Sequence, residues 1–353
     1  MVPGPRELGS EIVSQIHGFK RQPDCTVQLL RFLPFPPNRR DMASDRFWNV
    51  KFAALRYAVV WLGYAWMRAI THLPFASQLA LGRGLGRVLR LVAPARRRVV
   101  ARNLEACFPA LSPEERARIS AKHFEALGAS LIEMGMGWFG LPETVRNLVH
   151  VEGREHLAAA LAKGRGVILF SAHFTTFEFF WPVLAPMCTR LCGMYKEQRN
   201  PVMNRIMNEG RGRFYDTLFA KDGLREMLRN LRDNAVVWYA SDQSYGGKSS
   251  ALIPFFNEPA MTNTAISRIA KASGAAVLPY FCRRLPDDTY VMNIGAPLPG
   301  LPSDDEVQDT RRLTQVLESY IRLCPEQYWW IHRRFKGRPA PLPDLYAAPR
   351  ASV

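Results

Sequence analysis

Apolar and polar positions along the chain follow two different periods, and together they predict alternating strands and helices. Short runs without a polar face, GVILFSA and AVVWYASD, are typical of central strands in a parallel sheet. An amphipathic stretch that opens with Ser112, Pro113 and Glu115 matches a capping box and predicts a long helix. The order of these elements favours an α/β fold whose central, mostly parallel sheet is flanked by helices.

Later segments continue the alternation. They are predicted strands at AAVLPYFCRR and YVMNIGAPL, and predicted helices directly after His173, at GLREMLRNLRD, at NTAISRIAKASG up to Gly274, and after a capping box from Ser303 to Glu306. We therefore assign residues 105–346 to one α/β domain, followed by a short tail at residues 347–353.

The first 45 residues differ from the rest of the chain. Six prolines interrupt any periodic pattern there, so residues 1–45 are predicted to be a disordered leader. Met42 stands just before the apolar region, and we hypothesise that translation begins at this residue.

The net charge of +16 is concentrated in residues 46–104, which contain eleven lysines and arginines and no acidic residue. The basic residues alternate with Leu, Val, Trp and Phe, a mixture that suits an anionic membrane surface better than nucleic acid. Within this region, Tyr57–Met67 is uncharged but shorter than the roughly 20 residues that cross a bilayer. We predict an apolar membrane-anchoring helix, tilted or lying in the interface; a buried core helix is the alternative.

The six cysteines form no paired framework, which fits a reducing environment. They are Cys25, Cys107, Cys188, Cys192, Cys282 and Cys324. Cys188 and Cys192 make a weak ligand set for a metal, and we expect them to be small buried residues on one helix face.

His173 follows the predicted strand GVILFSA, at the sheet edge where sites of open α/β sheets gather. Glu178 comes five residues later, and a chain reversal would let its carboxylate approach the imidazole. A histidine held by a carboxylate is suited to general-base catalysis. Thr175 and Glu178 also match a capping box, so Glu178 has a purely structural alternative. A satisfied core pair is the corresponding alternative for His173.

A second strand, AVVWYASD, ends in the same way at Asp242 and Gln243, which glycines follow. Asp242 is equally compatible with an ordinary turn residue. Basic side chains lie between the two strand ends and in the tail PEQYWWIHRRFKGRP, and arginine forks bind phosphate well. They include Lys196, Arg199, Arg205, Arg211, Arg213, Arg333, Arg334, Lys336 and Arg338.

The motif SAHFTTFE resembles the His-x4-Asp/Glu motif of glycerolipid-type acyltransferases. Together with VVWYASDQSYGGKSSALIPFF, RGR, RRRVVARNLEACFP, EMGMGWF and the tail motif, it resembles the late acyltransferases of lipid A biosynthesis, most closely the lauroyltransferase type. The similarity runs from about Trp48 to Tyr346. Ser244 departs from the family pattern, which usually has a second acid two residues after Asp242.

This resemblance implies transfer of a fatty acyl chain, of lauroyl-like length, from acyl carrier protein. The implied acceptor is a hydroxyl of an acyl chain already on the Kdo-bearing lipid A precursor, at the cytoplasmic face of the bacterial inner membrane. Both the phosphorylated acceptor and the acidic donor protein would be attracted by a basic surface.

In the implied mechanism, His173 removes the proton of the acceptor hydroxyl and Glu178 orients His173. Lys196, Arg211 and Arg213 bind phosphate or stabilise the oxyanion, and Asp242 holds a cation or a sugar hydroxyl. Gln243, Arg333 and Arg334 complete the predicted substrate-binding set. No cofactor, metal or nucleic-acid partner is implied.

Three alternatives remain open at the level of the sequence. A cysteine could form an acyl-enzyme with a thioester. A related acyltransferase acting on another membrane glycolipid or lysophospholipid would share these motifs. A non-catalytic membrane-binding protein would also explain the basic, apolar N-terminal region.

Overall fold

A computed structural model describes residues 46–220 and 223–347, with side chains from residue 57 onward. The predicted leader at residues 1–45, with Cys25 and Met42, and residues 348–353 of the predicted tail lie outside the described residues. The helices are α1 (Arg46–Ile70), α2 (Phe75–Val92), α3 (Pro94–Cys107), α4 (Pro113–Phe139), α5 (Pro142–Leu148), α6 (Arg154–Leu161), α7 (Trp181–Leu184), α8 (Pro201–Arg211), α9 (Leu224–Arg232), α10 (Ala265–Ser273) and α11 (Glu306–Leu323). The strands are β1 (Val149–Glu152), β2 (Val167–Ser171), β3 (Leu191–Tyr195), β4 (Thr217–Ala220), β5 (Val236–Ala240), β6 (Ser250–Phe255), β7 (Glu258–Asn263), β8 (Ala276–Arg284) and β9 (Tyr290–Ile294).

Seven strands form one sheet in the order β1-β9-β8-β2-β5-β3-β4. Every neighbouring pair is parallel except β8 and β9, so the prediction of a mostly parallel central sheet is confirmed. The two remaining strands, β6 and β7, pair with each other as an antiparallel hairpin. The strands β2 and β5 lie side by side near the middle of the sheet, which places their carboxyl ends together.

Strand β2 is buried on both faces, as its uninterrupted apolar sequence predicted. Ile168 and Phe170 pack into a core that contains residues of α3, α10 and α11. Val167 and Leu169 pack on the opposite face, against residues that include Trp138 at the end of α4. The sheet is therefore sandwiched between helices, and the position of β2 in its centre fixes the backbone that leads to the candidate site.

Helix boundaries follow the sequence signals in most places. The capping box of Ser112 and Glu115 is present, and Gly274 ends α10 in the left-handed conformation. The side chain that caps α11 is Asp305, which accepts hydrogen bonds from the next helical N–H groups, so the predicted Ser303–Glu306 box is shifted. The predicted placement of Cys188 and Cys192 on one helix face is wrong, because Cys192 lies in β3 and Cys188 follows a 3₁₀ turn.

Helices α2 and α4 cross at very short distance because glycines line the contact. Gly82 and Gly86 of α2 face Gly128 of α4, and a Cβ atom at Gly128 would overlap the carbonyl oxygen of Gly82. Val100 and Leu104 of α3 are fully buried in the same core as β2. The described residues from Arg56 onward form one compact unit, in which α2 and α3 pack with the α/β domain.

The apolar segment predicted to anchor the chain lies within α1. Met67 and Ile70 are buried, whereas Val59, Leu62 and Trp66 are exposed. None of the helices in the described ranges combines the length and the apolar character needed to cross a membrane.

Candidate active site

The register of β2 and β5 brings His173 and Asp242 together. Ser171 at the end of β2 pairs with Ala240 at the end of β5, and the two strands are parallel. His173 and Asp242 each follow two residues later, so their side chains emerge at the same edge of the sheet. This is the edge at which ligand sites form in open α/β folds.

Asp242 holds His173 through both the ring and the backbone. Oδ1 of Asp242 lies 2.7 Å from Nδ1 of His173, and Oδ2 accepts a hydrogen bond of 3.1 Å from the backbone N–H of His173. The Asp242 side chain is only 2% exposed, whereas that of His173 is 26% exposed. With Nδ1 donating to the carboxylate, the neutral ring presents the lone pair of Nε2, which bonds to no other described residue.

The pair changes the pKa of both members. Burial would lower the pKa of His173, but the charge and hydrogen bond of Asp242 outweigh it and raise that pKa above its ordinary value of 6.5. Burial would raise the pKa of Asp242, but its interactions with His173 outweigh burial and lower it. His173 is therefore a stronger base than a free histidine, and Asp242 stays ionised beside it.

Aromatic rings fix the plane of the imidazole. Phe177 and Trp238 contact the His173 ring edge-on, with centroids at 5.8 Å and 6.0 Å, and they stack on each other. The backbone carbonyl of His173 also accepts a hydrogen bond from the N–H of Trp329. The histidine is thus oriented from three sides, as expected of a group that must meet a substrate in one geometry.

The expectation that Glu178 orients His173 requires a correction, because the carboxylate bonded to the ring is Asp242. The capping box predicted for Thr175 and Glu178 is also absent. No helix begins at this point, since residues 175–179 form turns and the N–H of Thr175 donates to the carbonyl of Gln327. This backbone hydrogen bond to the C-terminal segment takes the place of the first helical turn. The predicted helix is reduced to the four residues of α7.

Glu178 is instead the centre of a separate buried cluster. Its Oε2 accepts hydrogen bonds from the indole N–H groups of Trp138 at 2.9 Å and Trp181 at 2.7 Å. Its Oε1 pairs with Arg211, whose Nε donates at 3.0 Å. Burial would lower the pKa of Arg211, but the Glu178 carboxylate outweighs it and raises that pKa. Gly210 packs directly on the Trp138 ring, which lets α8 bring Arg211 to the carboxylate.

A cleft with a volume of about 360 Å³ opens beside His173. Of the predicted binding residues, Lys196 and Gln243 line it together with His173. Lys336 lines it as well, and the described lining residues include no Asp or Glu. The cleft is therefore positive next to a basic imidazole, which favours an anionic ligand.

The other predicted arginines do not line this cleft. Arg211 is held by Glu178, and Arg213 donates to the backbone carbonyl of Trp138. Arg333 is exposed and lies over the ring of Tyr346. These placements separate the predicted cationic set into residues of the cleft and residues around it.

Arg334 lies on the buried side of Asp242. Its side chain donates to the carbonyl of Met261 at 3.0 Å and to Oγ1 of Thr262 at 2.6 Å, and the residue is 2% exposed. Arg334 and Asp242 both line a small cavity of about 10 Å³, and the positive charge of Arg334 helps to lower the pKa of Asp242. In this position, Arg334 acts on Asp242 and is not among the residues that line the cleft beside His173.

His332 is a cleft residue that the sequence did not single out. It lies in the tail motif WWIHRRFKGRP, and its Nε2 accepts a hydrogen bond from the backbone N–H of Ser244 at 3.3 Å. The same motif contains the arginines that the sequence predicts to bind substrate, so the sequence points to this segment but not to its histidine. Only the fold shows that the tail returns to the end of β5.

The described cysteines are poorly suited to nucleophilic catalysis. Burial raises the pKa of the Cys188 thiol to about 12 and that of Cys192 to about 11. No cysteine in the described part of the chain lines the cleft beside His173. The geometry thus favours a histidine-based site over a cysteine acyl-enzyme.

Comparison with known proteins agrees with this chemistry. Residues 48–337 match the profile of the family described as bacterial lipid A biosynthesis acyltransferase. The chain is 36% identical over 293 residues to a lipid A biosynthesis lauroyltransferase of Escherichia coli (strain K12), covering 82% of this chain and 95% of that protein. It is 34% identical over 298 residues to a palmitoleoyltransferase of the same organism, covering 84% and 97%. A histidine base beside a basic cleft and similarity along almost the whole length of these enzymes lead to one conclusion: this chain belongs to the bacterial lipid A biosynthesis acyltransferase family.

Proposed function

We propose that this chain is an O-acyltransferase of lipid A biosynthesis that takes its acyl chain from acyl carrier protein. The acceptor is a hydroxyl on an acyl chain of the Kdo-bearing lipid A precursor. The observation that carries the proposal is the pair of His173 and Asp242, which opens into a basic cleft at the carboxyl ends of β2 and β5. Membership of the family supplies the reaction class.

In the proposed mechanism, Nε2 of His173 removes the proton of the acceptor hydroxyl while its oxygen attacks the thioester carbonyl carbon. Asp242 fixes the tautomer of His173 and stabilises the imidazolium that forms. The C–S bond breaks as the tetrahedral intermediate collapses, and the imidazolium returns the proton to the departing sulfur. Glu178 has a positioning role, because it anchors Arg211 and the turns that follow His173.

The cations at the site support a phosphate-bearing substrate. Lys196 and Lys336 line the cleft, and Gln243 adds an amide that can bind a sugar or carboxylate oxygen. We assign the lysines to the phosphate or Kdo carboxylates of the acceptor. Arg213 and Arg333, which lie outside the cleft lining, are assigned to the outer parts of the substrates, including the acidic carrier protein.

The membrane assignment rests on the outer face of α2. Leu81, Leu85, Val88 and Val92 are spaced as one helical stripe and are all exposed. Exposed arginines at residues 96–98 follow at the start of α3. An apolar stripe next to basic side chains is typical of helices that rest on anionic lipid. We propose that this face brings the cleft to the cytoplasmic surface of the inner membrane, where the acceptor lies.

The test is acyl transfer in vitro, followed by mass spectrometry of the acceptor. The full chain is incubated with a panel of acyl carrier protein thioesters and the Kdo-bearing precursor. A gain of one acyl chain with wild type, lost with folded His173→Ala, is the expected result. A matched control is His150→Ala, an exposed histidine on β1 that should leave transfer unchanged.

Acylation of a different glycolipid or a lysophospholipid, with no reaction of the Kdo-bearing precursor, would overturn the proposed acceptor. Transfer from acyl-coenzyme A but not from acyl carrier protein would overturn the proposed donor. A fully active His173→Ala variant would overturn the proposed mechanism, in which His173 is the base.

A further inference from the structure

The cleft contains a second histidine, His332, that the proposed mechanism does not yet use. Its position is fixed by the surrounding backbone. The fully buried Asn103 donates hydrogen bonds to the carbonyl oxygens of Trp330 at 2.7 Å and His332 at 2.8 Å. The N–H of His332 also donates to the carbonyl of Trp329. The backbone of His332 is therefore fixed by hydrogen bonds, although it belongs to an irregular segment.

One hydrogen bond determines the tautomer of His332. Its Nε2 accepts from the backbone N–H of Ser244 at 3.3 Å, and a ring nitrogen that accepts carries no proton. The neutral ring consequently bears its hydrogen on Nδ1. Ser244 is itself fixed, since its hydroxyl donates to the carbonyl of Lys336 at 2.8 Å.

His332 stays neutral in this environment. Burial lowers its pKa to about 4; Asp242 opposes this effect, whereas the positive charges of Lys336, Arg334 and His173 add to it. The ring therefore donates through Nδ1–H without carrying a charge at neutral pH. Nδ1 has no hydrogen-bond partner among the described residues. It is also absent from the buried polar atoms that lack a partner, so this nitrogen is open to the cleft and not enclosed by protein.

The two histidines of the cleft thus have complementary roles. His173 donates through Nδ1 to Asp242 and offers the lone pair of Nε2, whereas His332 accepts through Nε2 and offers the hydrogen of Nδ1. Acyl transfer needs both functions, because one group must accept the hydroxyl proton and another must stabilise the oxygen that becomes negative.

We propose that Nδ1–H of His332 is an oxyanion donor, which binds the thioester carbonyl oxygen as the acceptor attacks. This inference rests on the proposed function. As the new C–O bond forms, the carbonyl electron pair moves to the oxygen, and Nδ1–H of His332 stabilises it by a hydrogen bond. Collapse restores the carbonyl and breaks the C–S bond, and the proton held by His173 passes to sulfur. His332 keeps its own proton throughout.

The first experiment compares steady-state kinetics of wild type, His332→Ala and His332→Asn. We expect His332→Ala to lower kcat by about 10²- to 10³-fold, the usual effect of losing one oxyanion donor, with both KM values changed by less than about threefold. The asparagine amide nitrogen occupies nearly the same position as Nδ1, so His332→Asn should recover at least about tenfold of the loss. His150→Ala again serves as the matched histidine control.

The second experiment measures the wild-type protein itself and uses a His332 variant only to assign the His332 signal. Nitrogen-15 NMR of histidine-labelled wild type, assigned by comparison with His332→Asn or His332→Ala, should show His332 neutral and protonated on Nδ1 at pH 7. A proton on Nε2, or a charged ring, would overturn the proposal.

Kinetics can overturn it as well. A His332→Ala variant with kcat within about threefold of wild type would do so, as would a raised KM for the acceptor with unchanged kcat, which would indicate substrate binding. Failure of the proposed function has a different signature, because wild type itself would then transfer no acyl chain to the precursor.

Discussion

Nδ1 of His173 lies 2.7 Å from Oδ1 of Asp242, although 69 residues separate them in the chain. The two residues are neighbours because β2 and β5 are parallel and in a register that aligns Ser171 with Ala240. The pair is thus a product of the sheet, and its geometry depends on strands that are buried on both faces. A rigid support of this kind suits a catalytic base, which must keep one orientation.

The first prediction concerns Asp242→Asn. The amide is similar in size but cannot stabilise an imidazolium, and it can turn its NH₂ group toward Nδ1 and favour the wrong tautomer. We expect kcat to fall by about 10⁴-fold, the effect seen when the carboxylate of a catalytic triad is replaced by an amide. Acyl transfer measured by mass spectrometry, with circular dichroism as the folding check, tests this. A loss below tenfold would contradict the role of Asp242.

The second prediction is the pH dependence of the reaction. His173 must be neutral to accept a proton, and Asp242 raises its pKa above 6.5. The value of kcat/KM should therefore rise with pH, with its midpoint above 6.5. In Asp242→Asn the midpoint should move to lower pH, because burial alone lowers the pKa of histidine. An unchanged midpoint would show that another group titrates.

The same pair makes stability depend on pH in two directions. The raised pKa of His173 stabilises the folded state below the unfolded value of 6.5, and this contribution is lost as pH rises through the folded pKa. The lowered pKa of Asp242 stabilises above the unfolded value of 3.8, and this contribution is lost as pH falls through the folded pKa. The contribution of the pair to the free energy of unfolding should therefore be largest between about pH 3.8 and 6.5, measured by denaturant titration against Asp242→Asn.

The third prediction separates Glu178 from Asp242. Glu178→Gln removes the negative charge that faces the mostly buried guanidinium of Arg211, and we expect a loss of about 3 kcal/mol in the free energy of unfolding. The pH midpoint of kcat/KM should move less than in Asp242→Asn, since Glu178 affects His173 only through space. Glu155→Gln, at an exposed position of α6, is the control and should cost less than about 0.5 kcal/mol. A larger pH shift in Glu178→Gln than in Asp242→Asn would restore the role that the sequence predicted for Glu178.

The fourth prediction tests the close crossing of α2 and α4. Gly128→Ala places a methyl group where the backbone of Gly82 and Gly86 lies, and overpacking should cost about 3 kcal/mol. Gly84→Ala is the matched control on α2, because a methyl group there meets no atom within 4 Å. It should stabilise by about 0.5–1 kcal/mol, the difference in helix propensity. Thermal and denaturant unfolding measure both effects, and equal melting temperatures would show that the helices can separate at no cost.

The fifth prediction concerns the outer stripe of α2. Replacing Leu85 and Val88 together by Glu should weaken binding of the full chain to anionic phospholipid vesicles by at least about tenfold, since each buried aliphatic side chain contributes about 1.5–3 kcal/mol. Transfer to detergent-solubilised acceptor should be unchanged. Leu323→Glu, at the exposed end of α11, is the control. Equal vesicle binding of all three proteins would mean that this face does not contact lipid.

Local sequence was sufficient where a short-range rule decides the outcome. The capping box at Ser112, the glycine that ends α10 and the fully apolar strand β2 are each specified by a few adjacent residues, and each was predicted correctly. The strand edge that carries His173 follows from the same kind of signal. Family motifs then gave the reaction class without any coordinates.

Local sequence did not predict which side chains contact each other across the fold. The carboxylate of Glu178 is five residues from His173 and matched a known motif, whereas that of Asp242 is 69 residues away. The motif carries no information about strand register, and it is the register of β2 and β5 that places Asp242 beside His173. In the same way, the tail places His332 in the cleft and Arg334 behind it, although the two residues are close in sequence.

The sequence by itself determined most of the elements that form, that the sheet is mostly parallel, and that His173 follows the carboxyl end of a central strand, because these depend on periodicity and local backbone preference. The tertiary structure decided which carboxylate holds the histidine, which cations reach the cleft, and which face of α2 stays exposed. Those outcomes depend on contacts between residues that are distant in the chain, where strand register and the burial of charge fix the partners.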